Sequence, residues 1–205
     1  MERPPARPSQ RRLMEAIHEK VRACELCMLC ETRTNAVPGE GSLDPEVMVI
    51  GEAPGAEEDL QGRPFVGRSG KLLRQKLTEV FGEEPSWFYI TNVIKCRPPD
   101  NRDPQEDEVI ACRPYLMAQI AALNPKVIIC VGRHASTQIL GKPPNTPMRE
   151  LRGKIVKLAD KLVVCTYHPS YLLRNPRATP DFISDLGIAR RALRDYDKIM
   201  GKAGG

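Results

Sequence analysis

Short apolar runs alternate with segments of helical periodicity along most of this chain. Four of the runs are rich in aliphatic, aromatic or β-branched residues and are bounded by glycine, proline or polar residues, which is typical of buried strands. A fifth segment, Lys154–Leu158, is predicted to be an edge strand that forms a hairpin with the last of the four. The four predicted buried strands are Val47–Ile50, Trp87–Lys95, Lys126–Val131 and Leu162–Tyr167.

Helical segments precede, separate and follow these strands. An N-terminal helix capped by Ser9 has Leu13, Ile17 and Val21 at four-residue spacing and runs into the first cysteine. A later helix starts at Asp103-Pro104, and Pro114 is expected to kink or break it. The other predicted helices are Gly70–Val80 with Gly82 as its C-terminal cap, Arg133–Leu140 and Phe182–Met200.

The alternation of strands and helices predicts an α/β fold with a mainly parallel sheet that is covered on both faces. In such sheets, ligands bind beyond the carboxyl ends of the strands. Polar or glycine residues follow or end three of the predicted strands at that edge: Gly51-Glu52, Asn92 and Tyr167-His168. We therefore expect the functional site to lie there.

The length of 205 residues is sufficient for one domain with its own core. Residues 1–8, rich in proline and arginine, are predicted to be a flexible N-terminal arm, and residues 9–200 a single domain. The net charge of +5 permits a polyanionic partner but does not require one.

Cysteine usage and the N-terminal sequence predict the cellular compartment. Met1 is followed by polar residues and proline, and the longest apolar run, Val127–Val131, is too short to span a bilayer. The chain has seven cysteines, an odd number. We expect a cytoplasmic protein without membrane association, whose cysteines are reduced or bind metal.

The cysteines include two pairs with spacings that suit a metal centre. Cys24 and Cys27 form a C-x2-C pair, and Cys96 and Cys112 are separated by fifteen residues. Four thiolates bind either zinc or an iron–sulfur cluster, and the spacing does not distinguish the two. Cys30 repeats the C-x2-C spacing after Cys27, so the spacing alone also leaves open which cysteines are ligands.

A glycine-rich turn follows the first predicted strand, from Gly51 to Gly55, and continues to a second loop that carries Phe65. It matches neither the dinucleotide-binding fingerprint nor the phosphate-binding (Walker A) loop of nucleoside triphosphatases. Phe65 is interpreted either as a stacking surface for a flat ligand or as a core residue. His168, after the last strand, suits electrostatic catalysis or a structural role equally well.

The remaining cysteines and histidines are interpreted as structural. Cys130 and Cys165 lie in apolar strand patterns and are expected to be free and buried. His18 and His134 lie in helical patterns and are predicted to have no functional role.

Four segments together resemble the motifs of the family 4 uracil-DNA glycosylases, and the resemblance extends from about Cys24 to Pro176. The four segments are Gly51-Glu52-Ala53-Pro54-Gly55, Arg63-Pro64-Phe65-Val66-Gly67, Thr91-Asn92-Val93-Ile94-Lys95-Cys96-Arg97-Pro98-Pro99 and His168-Pro169-Ser170-Tyr171-Leu172-Leu173-Arg174. The resemblance implies a three-layer α/β/α fold with a central four-stranded, mainly parallel sheet. It also implies a 4Fe–4S cluster held by Cys24, Cys27, Cys96 and Cys112, with Cys30 as a bystander.

The resemblance implies an enzyme that flips uracil out of DNA and hydrolyses its N-glycosidic bond, releasing uracil and leaving an abasic site. Single- or double-stranded DNA containing uracil would be the partner, and we expect a monomer associated with the nucleoid through DNA. Glu52 and His168 would be catalytic, Glu52 by aiding hydrolysis and His168 by stabilising charge on O2 of uracil. The implied substrate-binding residues are Gly51, Ala53, Glu58, Phe65 and Asn92.

Within that set, Phe65 would stack on the base, Asn92 would pair with the uracil edge, and Glu58 would exclude the methyl group of thymine. The resemblance further implies that Leu172 wedges into the base stack and that Ser170 and Arg174 contact phosphates.

Two related groups fit the chain less well. No histidine occurs between His18 and His134, so the basic loop whose histidine traps DNA covalently in a group of uracil-binding proteins is absent. Glu52 disfavours the group in which an apolar residue takes this position. A rival of a different class is an iron–sulfur or zinc-stapled module for nucleic-acid binding or electron transfer, which would need neither Asn92 nor His168.

Overall fold

The structure is a computed structural model that describes residues 7–82 and 87–201. Residues 1–6 of the predicted N-terminal arm lie outside these ranges, and Pro8 already begins the first helix. Proline suits that position because the first helical residues need no N–H donor.

A six-stranded sheet forms the centre of the fold. Its strands are β1 (Glu40–Gly41), β2 (Val47–Gly51), β3 (Phe88–Asn92), β4 (Val127–Val131), β5 (Ile155–Leu158) and β6 (Lys161–Thr166). Their order in the sheet is β1-β3-β2-β4-β6-β5. The four inner strands are parallel, as predicted, and their residues are buried because both faces of the sheet are covered. The edge strand β5 was predicted from the sequence, whereas the two-residue strand β1 was not; both are antiparallel to their neighbours.

Ten α-helices are present in the described ranges. They are α1 (Pro8–Arg22), α2 (Leu29–Thr32), α3 (Ala56–Gln61), α4 (Arg68–Phe81), α5 (Glu106–Leu123), α6 (Arg133–Leu140), α7 (Met148–Leu151), α8 (Pro169–Arg174), α9 (Thr179–Arg194) and α10 (Tyr196–Met200).

Alternate residues of each inner strand belong to two separate cores, which confirms the three-layer fold. Met48 and Ile50 pack with residues of α1 and α5, whereas Val47 and Val49 pack with residues of α4 and α9 on the other face. This alternation follows from the two-residue repeat of a strand, which points successive side chains to opposite faces.

Several helix predictions need correction. Leu13 was predicted on the apolar face of α1, but it is 51% exposed, and Met14 is buried instead. The spacing of three residues between Met14 and Ile17 keeps both on one face of a helix, just as a spacing of four does. Pro114 neither ends α5 nor breaks it. Pro114 and Ile110 lie on the exposed side of α5, where water can satisfy the carbonyl that loses its partner. The last predicted helix is two helices, α9 and α10, separated at Asp195.

Candidate active site

A cleft of about 890 Å³ opens at the carboxyl ends of the inner strands, as the sequence predicted. It is large enough for a nucleotide-sized ligand. Most of the predicted site residues line it, namely Glu52, Ala53, Glu58, Phe65, Asn92, His168, Ser170 and Arg174. Gly51 lies directly behind this lining, whereas Leu172 does not line the cleft.

Asn92 is the last residue of β3 and is 1% exposed. Its side-chain oxygen Oδ1 is buried and has no hydrogen-bond partner among the described residues. A buried polar atom without a partner costs folding free energy, so such an atom in a cleft indicates a ligand contact. The backbone at this point is fixed from behind, because the buried Lys95 ammonium donates to the main-chain oxygen of Asn92 at 2.7 Å.

Gly51 and Phe65 form the wall beside Asn92. A Cβ atom on Gly51 would lie 2.4 Å from both Asn92 Oδ1 and Phe65 Cζ, so only glycine leaves these two side chains in place. Phe65 has a φ of 53°, which is unusual for an aromatic residue. Glu58 helps to hold this conformation, because its Oε1 accepts hydrogen bonds from the backbone N–H groups of Val66 and Gly67, each at 2.8 Å.

His168 caps the N-terminus of α8 and faces Phe65, with 6.1 Å between the ring centroids. Its Nδ1 accepts a hydrogen bond from the backbone N–H of Ser170 at 3.2 Å and lies 2.8 Å from the Ser170 hydroxyl oxygen. Burial lowers the pKa of His168 to about 4, and the positive charge of Arg174 acts in the same direction. The ring is therefore neutral at pH 7, and because Nδ1 is an acceptor, the proton is on Nε2.

Glu52 follows β2 and is partly buried, and burial raises the pKa of its carboxyl group. His134 and Asp103 lie beside it: His134 Nε2 is 3.9 Å from Glu52 Oε2 and 3.1 Å from Asp103 Oδ2. No functional role was assigned to His134 from the sequence, and the structure places it in the cleft beside Glu52. The signal used for His168 could have found it, because His134 also follows a strand end, three residues after Val131.

The residues predicted to contact DNA have different surroundings. Arg174 is exposed at the rim of the cleft, and Ser170 hydrogen bonds to His168. The prediction of Leu172 as a wedge needs correction, because Leu172 is 2% exposed and packs in the core with Phe182 and its neighbours. A side chain held there by the hydrophobic effect cannot enter DNA without unpacking the core. The adjacent Leu173 is 41% exposed.

A second cavity, between α1 and α5, is lined by Cys24, Cys27, Cys96 and Cys112, but not by Cys30. Arg33 donates a hydrogen bond to the sulfur of Cys96 at 3.1 Å, and the backbone N–H of Lys95 donates to the sulfur of Cys112 at 3.2 Å.

Two further observations concern the chemistry of the cysteines. Burial raises the pKa of the Cys112 thiol to about 11, as expected for a thiol that would deprotonate only on binding a metal. Cys130 and Cys165 are free and buried, as the strand pattern predicted. They lie opposite each other on the neighbouring strands β4 and β6.

A model of the Uracil DNA glycosylase superfamily matches residues 38–187. The chain belongs to this superfamily. It is 48% identical over 187 residues to the Type-4 uracil-DNA glycosylase of Saccharolobus solfataricus, covering 88% of this chain and 86% of the relative.

Two other relatives carry the same name. The Type-4 uracil-DNA glycosylase of Sulfurisphaera tokodaii is 48% identical over 169 residues, which are 80% of this chain and 77% of the relative. The enzyme of that name from Thermotoga maritima is 48% identical over 165 residues, which are 80% of this chain and 84% of the relative. The resemblance inferred from the motifs is thereby confirmed.

We predict that His168 stays neutral, with its proton on Nε2, from pH 8 down to about pH 5. A depressed pKa means that the folded protein takes up the imidazole proton only near pH 4, whereas an exposed histidine does so near pH 6.5. An NMR titration of the ¹⁵N-labelled imidazoles measures this directly. Assignment of the signals uses His168→Asn, and a midpoint near 6.5 for His168 would contradict the prediction.

Proposed function

We propose that this protein is a DNA repair glycosylase that hydrolyses the N-glycosidic bond of deoxyuridine, releasing uracil and leaving an abasic site. Membership of the superfamily and the names of the relatives support this proposal. The observation that carries it furthest is the buried, unpartnered Oδ1 of Asn92 at the cleft. This acceptor is complementary to the N3–H donor of uracil.

Asn92 is proposed to read the uracil edge, with Oδ1 accepting from N3–H and the amide N–H donating to O4. Cytosine presents the opposite pattern of donor and acceptor, so the same amide orientation rejects it. Phe65 is proposed to stack on the base, while the backbone at Gly51 and Ala53 lines the pocket. The absence of a side chain at Gly51 permits the base to approach Asn92 closely.

His168 and Glu52 are proposed to carry the chemistry. When the glycosidic bond breaks, negative charge develops on uracil O2 and positive charge on the sugar. A neutral imidazole with its proton on Nε2 donates to O2 without a proton transfer, and a preorganised donor of this kind stabilises the transition state by about 3 kcal/mol. The Glu52 carboxylate stabilises the sugar cation or positions the attacking water.

The base must leave the DNA stack before it enters the cleft, at a cost of a few kcal/mol. Arg174 and Ser170 are proposed to contact the flanking phosphates. We assign the wedge to Leu173, because its exposed side chain can enter the stack, as apolar wedges do in other proteins that distort DNA.

Glu58 was predicted to exclude the methyl group of thymine. Its carboxylate is engaged with the backbone of Val66 and Gly67. We therefore propose that Glu58 acts on thymine indirectly, by fixing the loop that sets the position of the Phe65 ring.

A 4Fe–4S cluster is the cofactor proposed for the cysteine cavity, with Cys24, Cys27, Cys96 and Cys112 as ligands. All four line the same cavity, which Cys30 does not line. N–H groups that donate to Cys96 and Cys112 are also typical of cluster ligands. When bound, the cluster would be a structural tie between the segment after α1 and the loop after β3.

We further propose that the protein acts as a monomer on uracil in single- or double-stranded DNA and associates with the nucleoid through that substrate. The net charge of +5 is compatible with a polyanionic partner such as DNA. No α-helix of residues 7–82 and 87–201 has the length and apolar character needed to cross a membrane. An electron-transfer or zinc-stapled module would leave the neutral His168 and the buried Asn92 amide without a role.

The direct test is release of uracil from an oligonucleotide with one deoxyuridine, detected by alkaline cleavage at the abasic site. We predict that Asn92→Asp loses at least about 100-fold in rate, because a carboxylate cannot donate to O4 and repels the departing anion. Asn145→Asp adds the same charge at an exposed position and is the matched control. Absence of uracil release by the wild-type protein would contradict the proposed function, and full activity of Asn92→Asp would contradict the role of Asn92.

The cofactor is tested by metal and sulfide analysis of protein purified without oxygen. We predict about four irons and four sulfides per chain. Cys30→Ser is expected to retain them, whereas Cys24→Ser and Cys112→Ser lose them and unfold at a lower temperature. Stoichiometric zinc without sulfide would exclude the cluster, and loss of iron in Cys30→Ser alone would show that the proposed ligand set is wrong.

A further inference from the structure

The Nε2 atom of His134 is buried beside the proposed catalytic carboxylate and has no well-aligned hydrogen-bond partner among the described residues. His134 is the second residue of α6, and its side chain is only 20% exposed. Two carboxylates compete for this nitrogen, Asp103 at 3.1 Å and Glu52 at 3.9 Å.

The two carboxylates differ in their exposure to water. Asp103 is 70% exposed and lies in the loop that precedes α5, whereas Glu52 is 27% exposed. Water therefore solvates the charge of Asp103 well and that of Glu52 poorly. An N–H donor contributes more to a charge that water solvates poorly, because the loss of hydration is what disfavours that charge.

We propose that His134 is a positioning residue that holds Glu52 ionised in the cleft, and that Asp103 opposes it by competing for the same Nε2–H. This inference rests on the proposed function, because it assigns Glu52 to uracil excision. Within that function, it identifies His134 and Asp103 as the pair of residues that controls how much of Glu52 is in its ionised form. It adds no proton-transfer step to the reaction.

The charges around Glu52 agree in sign with this arrangement. Burial raises the pKa of Glu52, the charge of His134 is the largest effect that lowers it, Asp103 raises it, and Arg133 lowers it. Arg133 lies 3.8 Å from Asp103 and weakens its competition. The other charged or titratable groups that line the cleft are Glu58, Arg102, Tyr167, His168, Tyr171 and Arg174.

The test is the pH dependence of single-turnover uracil excision, measured from pH 4.5 to 8 with enzyme in excess. We predict that His134→Asn moves the acidic limb of the pH–rate profile up by about one pH unit. An opposite charge within 4–6 Å lowers a carboxyl pKa by that amount or more, and His134 lies 3.9 Å from Glu52. The rate below the limb then falls about tenfold, while most of the rate returns at pH 8. Asp103→Asn is expected to move the same limb in the opposite direction.

Three controls separate positioning from a merely structural effect. Asp100→Asn removes a charge from the same loop at an exposed residue with a φ of 53°, a backbone conformation that asparagine tolerates, and should leave the limb unchanged. In a Glu52→Gln background, His134→Asn should have no further effect, because its action passes through Glu52. His134→Gln, which keeps an N–H donor, should recover part of the shift.

Equal loss of rate at all pH values in His134→Asn, or shifts of the same sign in both variants, would overturn the proposal. Thermal unfolding of each variant identifies those that fail to fold, and Asp103→Asn, which alters an exposed side chain, keeps the test decisive if His134→Asn unfolds. If the wild-type protein releases no uracil, the proposed function fails, whereas an active wild-type enzyme with an unmoved limb in both variants contradicts this inference alone.

Discussion

The parallel register between β2 and β3 is the constraint on which the site depends. It pairs Gly51 with Asn92 at the carboxyl ends of the two strands. The backbone hydrogen bonds continue past the strands, from Val93 N–H to the Gly51 oxygen and from Ile94 N–H to the Glu52 oxygen. A shift of one residue would turn the Asn92 amide to the other face of the sheet, so register and recognition cannot be separated.

The same strand end connects the cleft to the cysteine cavity. Lys95 is 1% exposed, and its ammonium donates to the Asn92 main chain, to Thr91 and to Gln119. Its backbone N–H donates to the sulfur of Cys112. Only three residues lie between Asn92, whose side chain is proposed to read the base, and Cys96, a proposed cluster ligand. A cluster bound at the proposed ligands would fix the loop that leaves β3 and, with it, the end of the strand that carries Asn92.

The cleft gives His168 and Glu52 different charge states. His168 is neutral because burial and Arg174 disfavour its charged form. Glu52 is under opposing influences, with burial favouring the acid and His134 favouring the carboxylate. A neutral donor suits the developing anion on uracil, and a carboxylate suits the developing cation on the sugar, so the two groups match opposite ends of the breaking bond.

The sequence predicted the features that depend on burial patterns and on local turns. Apolar runs such as Val127–Val131 must be covered on both faces, so the parallel sheet and the place of Asn92 and His168 at its edge could be inferred. Features that depend on packing between distant segments could not be predicted from the sequence. The proximity of His134 to Glu52 arises because β4 is the neighbour of β2, and the burial of Leu172 depends on the packing of α8 against α4.

The proposed role of His168 is tested by comparing His168→Ala with the wild type in binding and single-turnover cleavage of deoxyuridine DNA. We expect the variant to bind within several-fold of the wild type and to cleave about 100- to 1,000-fold more slowly, because the donor to O2 acts mainly in the transition state. A cleavage rate near that of the wild type would show that His168 is structural. A loss of binding that equals the loss of rate would show that the histidine holds uracil in the ground state, and either result would contradict the proposed mechanism.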